Sequence, residues 1–314
     1  MQDPRWDAVR KGLRRRGRLL GEALKPPAAK PLAPAPDQAR PLDGIPAQPD
    51  SGLDGPPVER ARRLVESPVF LLSSVRSGST LLRVLLNSHS RIRAPHEMHL
   101  RTLHVRQDRD FTVTAMRELG LDREELEHML WDRVLGHALE RSGKDLIVDK
   151  TPANTLMWPR LRRAWPQARY IFLIRHPAAV VESLTARRQD PDRDAIHAEV
   201  LQYAERLEEA QEALDGVTVA YEDLTADPER ETRRMCTYLG VEWEEAMLDY
   251  GSKDHGDFRP HIGDWSEKIR SGRIQAARTA TDCSGLPERL VEIAEAWGYA
   301  EPGTQDAEPG VPST

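Results

Sequence analysis

Between residues 58 and 300, short apolar runs alternate with longer stretches in which apolar positions recur every three or four residues. The short runs read as strands and the longer ones as amphipathic helices. Strands are predicted at Val69–Ser73, Leu146–Val148, Tyr170–Ile174 and Val217–Ala220, with a short edge strand near Ile92. Helices are predicted over Thr80–Asn87, Arg123–Arg141, Trp158–Trp165, Ala178–Arg187, Asp194–Leu214, Pro228–Leu239 and Pro287–Ala296. Apolar strands separated by helices imply an α/β fold in three layers, with a central, mainly parallel sheet flanked by helices. In such a sheet, ligands bind beyond the carboxyl ends of the strands.

The pattern breaks down at both ends. Residues 1–24 are basic, with Trp6, Val9, Leu13, Leu20 and Leu24 roughly on one side, and are expected to form a short basic helix or tail able to dock a partner. Residues 25–57 are dominated by Pro, Ala, Gly, Asp and Gln, and eleven of the 24 prolines precede Val58, so this stretch is expected to be a disordered linker. Residues 301–314 read as a second disordered tail. One domain is left, at 58–300.

Composition narrows the class. A formal net charge of −6 gives no reason to expect nucleic-acid binding. No run approaches the ~20 apolar residues of a membrane span, and charged residues interrupt the N-terminus where a secretory signal would need an apolar stretch. Cys236 and Cys283 have no metal-ligand or redox spacing, so they read as free thiols. The chain reads as a soluble cytoplasmic protein.

Four stations at strand ends carry the candidate chemistry. After the first strand comes Arg76-Ser77-Gly78-Ser79-Thr80, a small-residue turn opening a helix, where backbone N–H groups, hydroxyls and a guanidinium suit a phosphate-like anion. An ATP-binding loop would add a Gly-Lys-Ser/Thr end, which is missing here. The second station, Arg93-Ala-Pro-His96-Glu97-Met98-His99, offers Glu97 or His96 as a general base. Its spacing is not the zinc-binding His-Glu-x-x-His, so no metal is expected.

At the third station, Asp149-Lys150-Thr-Pro152, a lysine follows a strand directly and precedes a Pro-started helix. Its ammonium could meet charge developing on a leaving oxygen. At the fourth, a strongly apolar strand delivers Arg175, and Ser183 follows about two helical turns later. A guanidinium fork and a hydroxyl make a plausible second phosphate site, distinct from the first. Taken singly, each station is also what an ordinary surface turn looks like.

In order and spacing, the four together resemble the sulfotransferases that use 3′-phosphoadenosine-5′-phosphosulfate (PAPS), especially bacterial small-molecule members and the tyrosylprotein branch. The resemblance runs from about Pro68 to Ile274. It implies a P-loop-like fold, with Arg76, Ser77, Gly78, Ser79 and Thr80 on the donor's 5′ end, and Arg175 and Ser183 on its 3′-phosphate. It also implies Glu97 as base, Lys150 on the bridging oxygen of the leaving phosphate, and Tyr221 in donor binding. Gly263–Gly272 resembles a loop closing over the nucleotide. There the match departs from the cytosolic enzymes around Ser266 and Lys268.

The implied reaction is transfer of the sulfuryl group from PAPS to a hydroxyl, or less readily an amine, by in-line displacement without a metal. The acceptor is expected to be a small molecule or a carrier-tethered intermediate, with a peptide tyrosine as a further alternative. Arg101–Phe111 and His255–His261 mix polar, basic and apolar residues and are expected to be lid or pocket loops. Two rival classes share the same anion loop: a kinase-like nucleotide phosphotransferase, and a non-catalytic nucleotide-binding scaffold.

Overall fold

The computed structural model describes residues 62–256, 267–277 and 282–299. The anticipated basic helix (1–24), linker (25–57) and tail (301–314) lie outside them, as do Ser266 and residues 257–261.

Five parallel strands form one sheet in the order β2-β3-β1-β4-β5: β1 Val69–Ser73, β2 Ile92–Arg93, β3 Leu146–Asp149, β4 Arg169–Ile174 and β5 Gly216–Ala220. All five strands were anticipated, the longer ones to within a residue. β1 sits in the middle and is buried along its whole length, which is why it reads as an unbroken apolar run rather than an alternating one.

Its side chains nevertheless divide by parity. Val69 and Leu71 join Leu82, Leu85 and Leu86 of helix α1 (Ser79–Ser88) in one core. Phe70 and Leu72 face the opposite core, with Trp131 and Leu135 of the long helix Arg123–Glu140 and with Trp165. The Phe70 and Trp165 rings lie 5.4 Å apart. Sheet faces covered on both sides make the three layers.

Two segments differ from expectation. Asp110–Glu118 is helical, with Asp110 in its first turn and Arg117 in its last, and none of its residues is fully buried. Apolar burial, the signal that marks a helix in sequence, is therefore weak there, and part of the Arg101–Phe111 segment anticipated as a loop is instead the start of this helix and the 3₁₀ turn Leu100–Thr102. Residues Pro152–Met157 form a 3₁₀ turn before the helix Trp158–Ala164. That turn anchors the sheet edge: Thr155 Oγ1 donates to the Ser73 carbonyl (2.9 Å) and accepts from Ser73 N–H (2.8 Å). It thus supplies the hydrogen bonds β1 needs after its pairing with β3 ends at Phe70↔Asp149.

Candidate active site

All four stations and Tyr221 lie just past the carboxyl ends of the strands, as the topology requires. The turn after β1 is built around two residues in the left-handed region, Arg76 (φ 62°) and Gly78 (φ 87°). Two such residues in a short turn opening a helix bring successive backbone N–H groups to one side. Ser77 closes the turn by donating its hydroxyl to the Ser74 carbonyl, so that its side chain fixes the loop. Gly78 is required twice over. Its φ disfavours a side chain, and a Cβ there would sit 2.2 Å from the ring of Tyr221.

Arg175, one residue past β4, holds this turn from the side. Its Nη1 donates to the Arg76 carbonyl (2.8 Å), which braces the left-handed residue, and its guanidinium lies 4.7 Å from the centroid of the Tyr221 ring. Arg175 Nε is buried, and the described residues offer it no acceptor. Such a donor fits an anionic ligand. Arg76 Nε reaches Ser183 Oγ at 3.3 Å. This hydrogen bond joins the turn after β1 to the helix that carries Ser183.

The β2 and β3 ends make the other half. Lys150, fully buried, donates to Glu97 Oε1. Burial pulls the Lys150 ammonium below the ordinary lysine range, and the Glu97 carboxylate opposes that fall. Glu97 is held in reach by a relay from β3. Asp149, completely buried, accepts from Asn154 Nδ2 (2.8 Å) and Thr151 Oγ1 (3.0 Å), and Thr151 Oγ1 accepts the Met98 N–H at 3.1 Å. Burial raises the Asp149 carboxyl above its usual range, with the two hydrogen bonds acting against it.

His96, the alternative base, is exposed and turns its Nδ1 to the Glu97 carbonyl at 2.9 Å, whereas Glu97 faces Lys150. His99 was not anticipated as a site residue. It takes the left-handed conformation (φ 50°), which swings Leu100 into the core, and its Nε2 lies 3.6 Å from Glu97 Oε2. Arg83 of α1, also unanticipated, is buried and donates to the Ala94 carbonyl (3.2 Å). Burial, then nearby Arg93, pushes its guanidinium down to about 10, while Glu97 opposes. No sequence pattern pointed to either residue; a His two positions past the candidate base was the sole hint.

Of the anticipated closing segment, Lys268 lies in the short helix Glu267–Arg270. His255, at the start of the anticipated His255–His261 loop, has Nδ1 3.1 Å from Asn87 Nδ2 and Nε2 2.8 Å from the Tyr250 carbonyl. Among the described residues no group of three or more His, Cys, Asp or Glu is placed to hold a metal, and no helix is long and apolar enough to cross a membrane.

Comparison with known proteins places the chain in a family. The model of a family described as "Sulfotransferase family" matches residues 68–245. The chain is 33% identical over 126 residues to nodulation protein NoeE of Sinorhizobium fredii, covering 37% of this chain and 30% of that one. It is 26% identical over 207 residues to protein-tyrosine sulfotransferase 1 of Danio rerio, covering 59% and 56%. The chain therefore spans less than two thirds of either relative. Among solved structures, the sulfotransferase domain of the Synechococcus PCC 7002 olefin synthase superposes with a TM-score of 0.59 at 26% identity, covering 76% of this chain and 98% of that domain.

Proposed function

The chain belongs to the sulfotransferase family, and from that premise we propose that it transfers the sulfuryl group of PAPS to a hydroxyl of a small-molecule or carrier-tethered acceptor. The observation that carries this reading is the convergence of Arg76, Arg175, Ser183 and Tyr221 on one edge of the sheet, with a buried arginine donor awaiting an acceptor.

The residues fit the donor. The amides of Ser77 to Thr80 and the Arg76 side chain would hold its 5′ end, Arg175 and Ser183 its 3′-phosphate, and Tyr221 would border the nucleotide. The donor supplies an activated sulfuryl group, whose bond to the phosphate oxygen breaks as the bond to the acceptor oxygen forms. Glu97 accepts the proton that the acceptor hydroxyl gives up. Lys150 leaves Glu97 to meet the negative charge on the departing oxygen, and Arg76 stabilises the same charge. Positive charge from Arg and Lys serves in this reading where phosphoryl-transfer enzymes use magnesium.

Incubation with PAPS and a panel of small-molecule, carrier-bound and tyrosine-peptide acceptors tests the proposal. Release of 3′-phosphoadenosine-5′-phosphate (PAP) that depends on one acceptor and is lost in Glu97→Gln supports it. Magnesium-dependent turnover of ATP with no release of PAP would overturn it in favour of a phosphotransferase.

A further inference from the structure

The last ladder pair between β4 and β5 is Ile174↔Ala220. The next residue on each strand is a site residue, Arg175 and Tyr221, and the two are stacked on each other. One residue further on, the chains are joined again. Glu222 Oε1 accepts the His176 N–H at 3.3 Å, and Glu222 Oε2 accepts the Tyr299 hydroxyl at 2.6 Å. The Tyr299 ring also packs on the His176 ring, with centroids 4.9 Å apart. The Arg175–Tyr221 pair is thus bracketed, by the sheet on one side and by a carboxylate bridge on the other.

Tyr299 comes from far along the chain, beyond residue 245, where the family match ends. The helix before it, Glu288–Ala296, is fastened by Leu290 and Ile293 in a core shared with Val180, Val181 and Leu184, on the helix that carries Ser183. Trp297 lines a small apolar cavity that also touches Arg175 and Ser74. This C-terminal segment therefore backs both residues assigned above to the 3′-phosphate.

We propose that Tyr299 and Glu222 are positioning residues that hold Arg175 and Tyr221 in the geometry that receives the 3′-phosphate of the donor, a role that rests on the PAPS reading above. Free in solution, an arginine side chain samples many rotamers, and fixing it beforehand lowers the entropic cost of binding. The Tyr299 hydroxyl remains a donor throughout the physiological range, because burial and the neighbouring Glu222 carboxylate both push its ionisation upward.

The test is calorimetric titration of the full chain with PAP and with ADP, on wild type, Tyr299→Phe, Arg175→Ala and the double variant. Tyr299→Phe keeps the ring on His176 and removes only the hydroxyl. It is expected to weaken PAP binding about tenfold, the scale of one hydrogen bond to a charged group, and to change PAP binding less than twofold once Arg175 is alanine. Glu222→Gln retains an acceptor for His176 and a hydrogen-bonding partner for Tyr299, so it is expected to stay within about twofold of wild type while Glu222→Ala does not. Wild-type affinity for PAP in Tyr299→Phe overturns the clamp, and so does an undiminished tenfold loss in the Arg175→Ala background. A wild-type protein with no preference for PAP over ADP overturns the donor reading, and the clamp with it.

Discussion

Lys150 donates from a fully buried ammonium to Glu97 Oε1, so the group assigned to the leaving oxygen and the group assigned to the acceptor proton are each other's partner. The pairing makes physical sense. A lone buried ammonium would lose its charge, and the carboxylate resists that loss. In the proposed reaction, charge developing on the substrate would compete for the same ammonium and free the carboxylate to act as a base.

Glu97→Gln retains an oxygen for Lys150 but cannot accept a proton. Turnover is expected to fall by about 10²-fold or more with PAP affinity unchanged. Steady-state rates alongside calorimetry check this, and undiminished turnover would transfer the role of base to His96.

Thr151→Val preserves shape and removes the hydroxyl that links Asp149 to the Met98 amide. Leaving buried polar groups without partners is expected to lower stability by about 1–3 kcal/mol. Because the Glu97 loop loses its tether, kcat should fall while PAP affinity holds, as denaturant melts and kinetics together will read.

Gly78→Ala places a methyl against the Tyr221 ring in a backbone conformation that resists it. Loss of PAP binding is expected, with a stability cost of about 1–3 kcal/mol. Gly240→Ala is the control. It has a similar φ (70°) but open space around the new Cβ, so it should cost stability without touching nucleotide affinity.

Glu127 binds Arg160 Nη2 at 2.6 Å and accepts from Val105 N–H at 3.1 Å, tying down the segment that follows the Glu97 loop. Burial favours its neutral form, but the hydrogen bonds from Arg160 and Val105 outweigh this and hold its carboxyl below the usual range. A depressed folded pKa gives stability that is present above the ordinary glutamate value of about 4.3 and is lost as pH falls below it towards the folded pKa. Thermal melts of wild type should therefore drop more steeply below that pH than melts of Glu127→Gln. Parallel curves would contradict this account.

The sheet was legible because β1, β3 and β4 are largely buried apolar runs and β5 alternates the buried Val217 and Val219 with less buried neighbours, and three of the four stations were legible because each follows one of those runs. What the pattern concealed is long-range or conformational. The helix Asp110–Glu118 buries none of its residues fully, so its apolar positions lack the contrast that marks a core-facing helix. His99 looks like any loop histidine until its left-handed turn sets it beside Glu97. The Tyr299–Glu222 contact joins residues that no local spacing connects, and the Arg76–Ser183 hydrogen bond emerges only when β1 and β4 lie side by side.

The most direct test of the central claim is calorimetric binding of PAP against ADP to wild type and to Arg175→Ala. The account predicts tighter binding of PAP by wild type, with the preference for the 3′-phosphate lost when Arg175 is removed. Equal or tighter binding of ADP by wild type would contradict it.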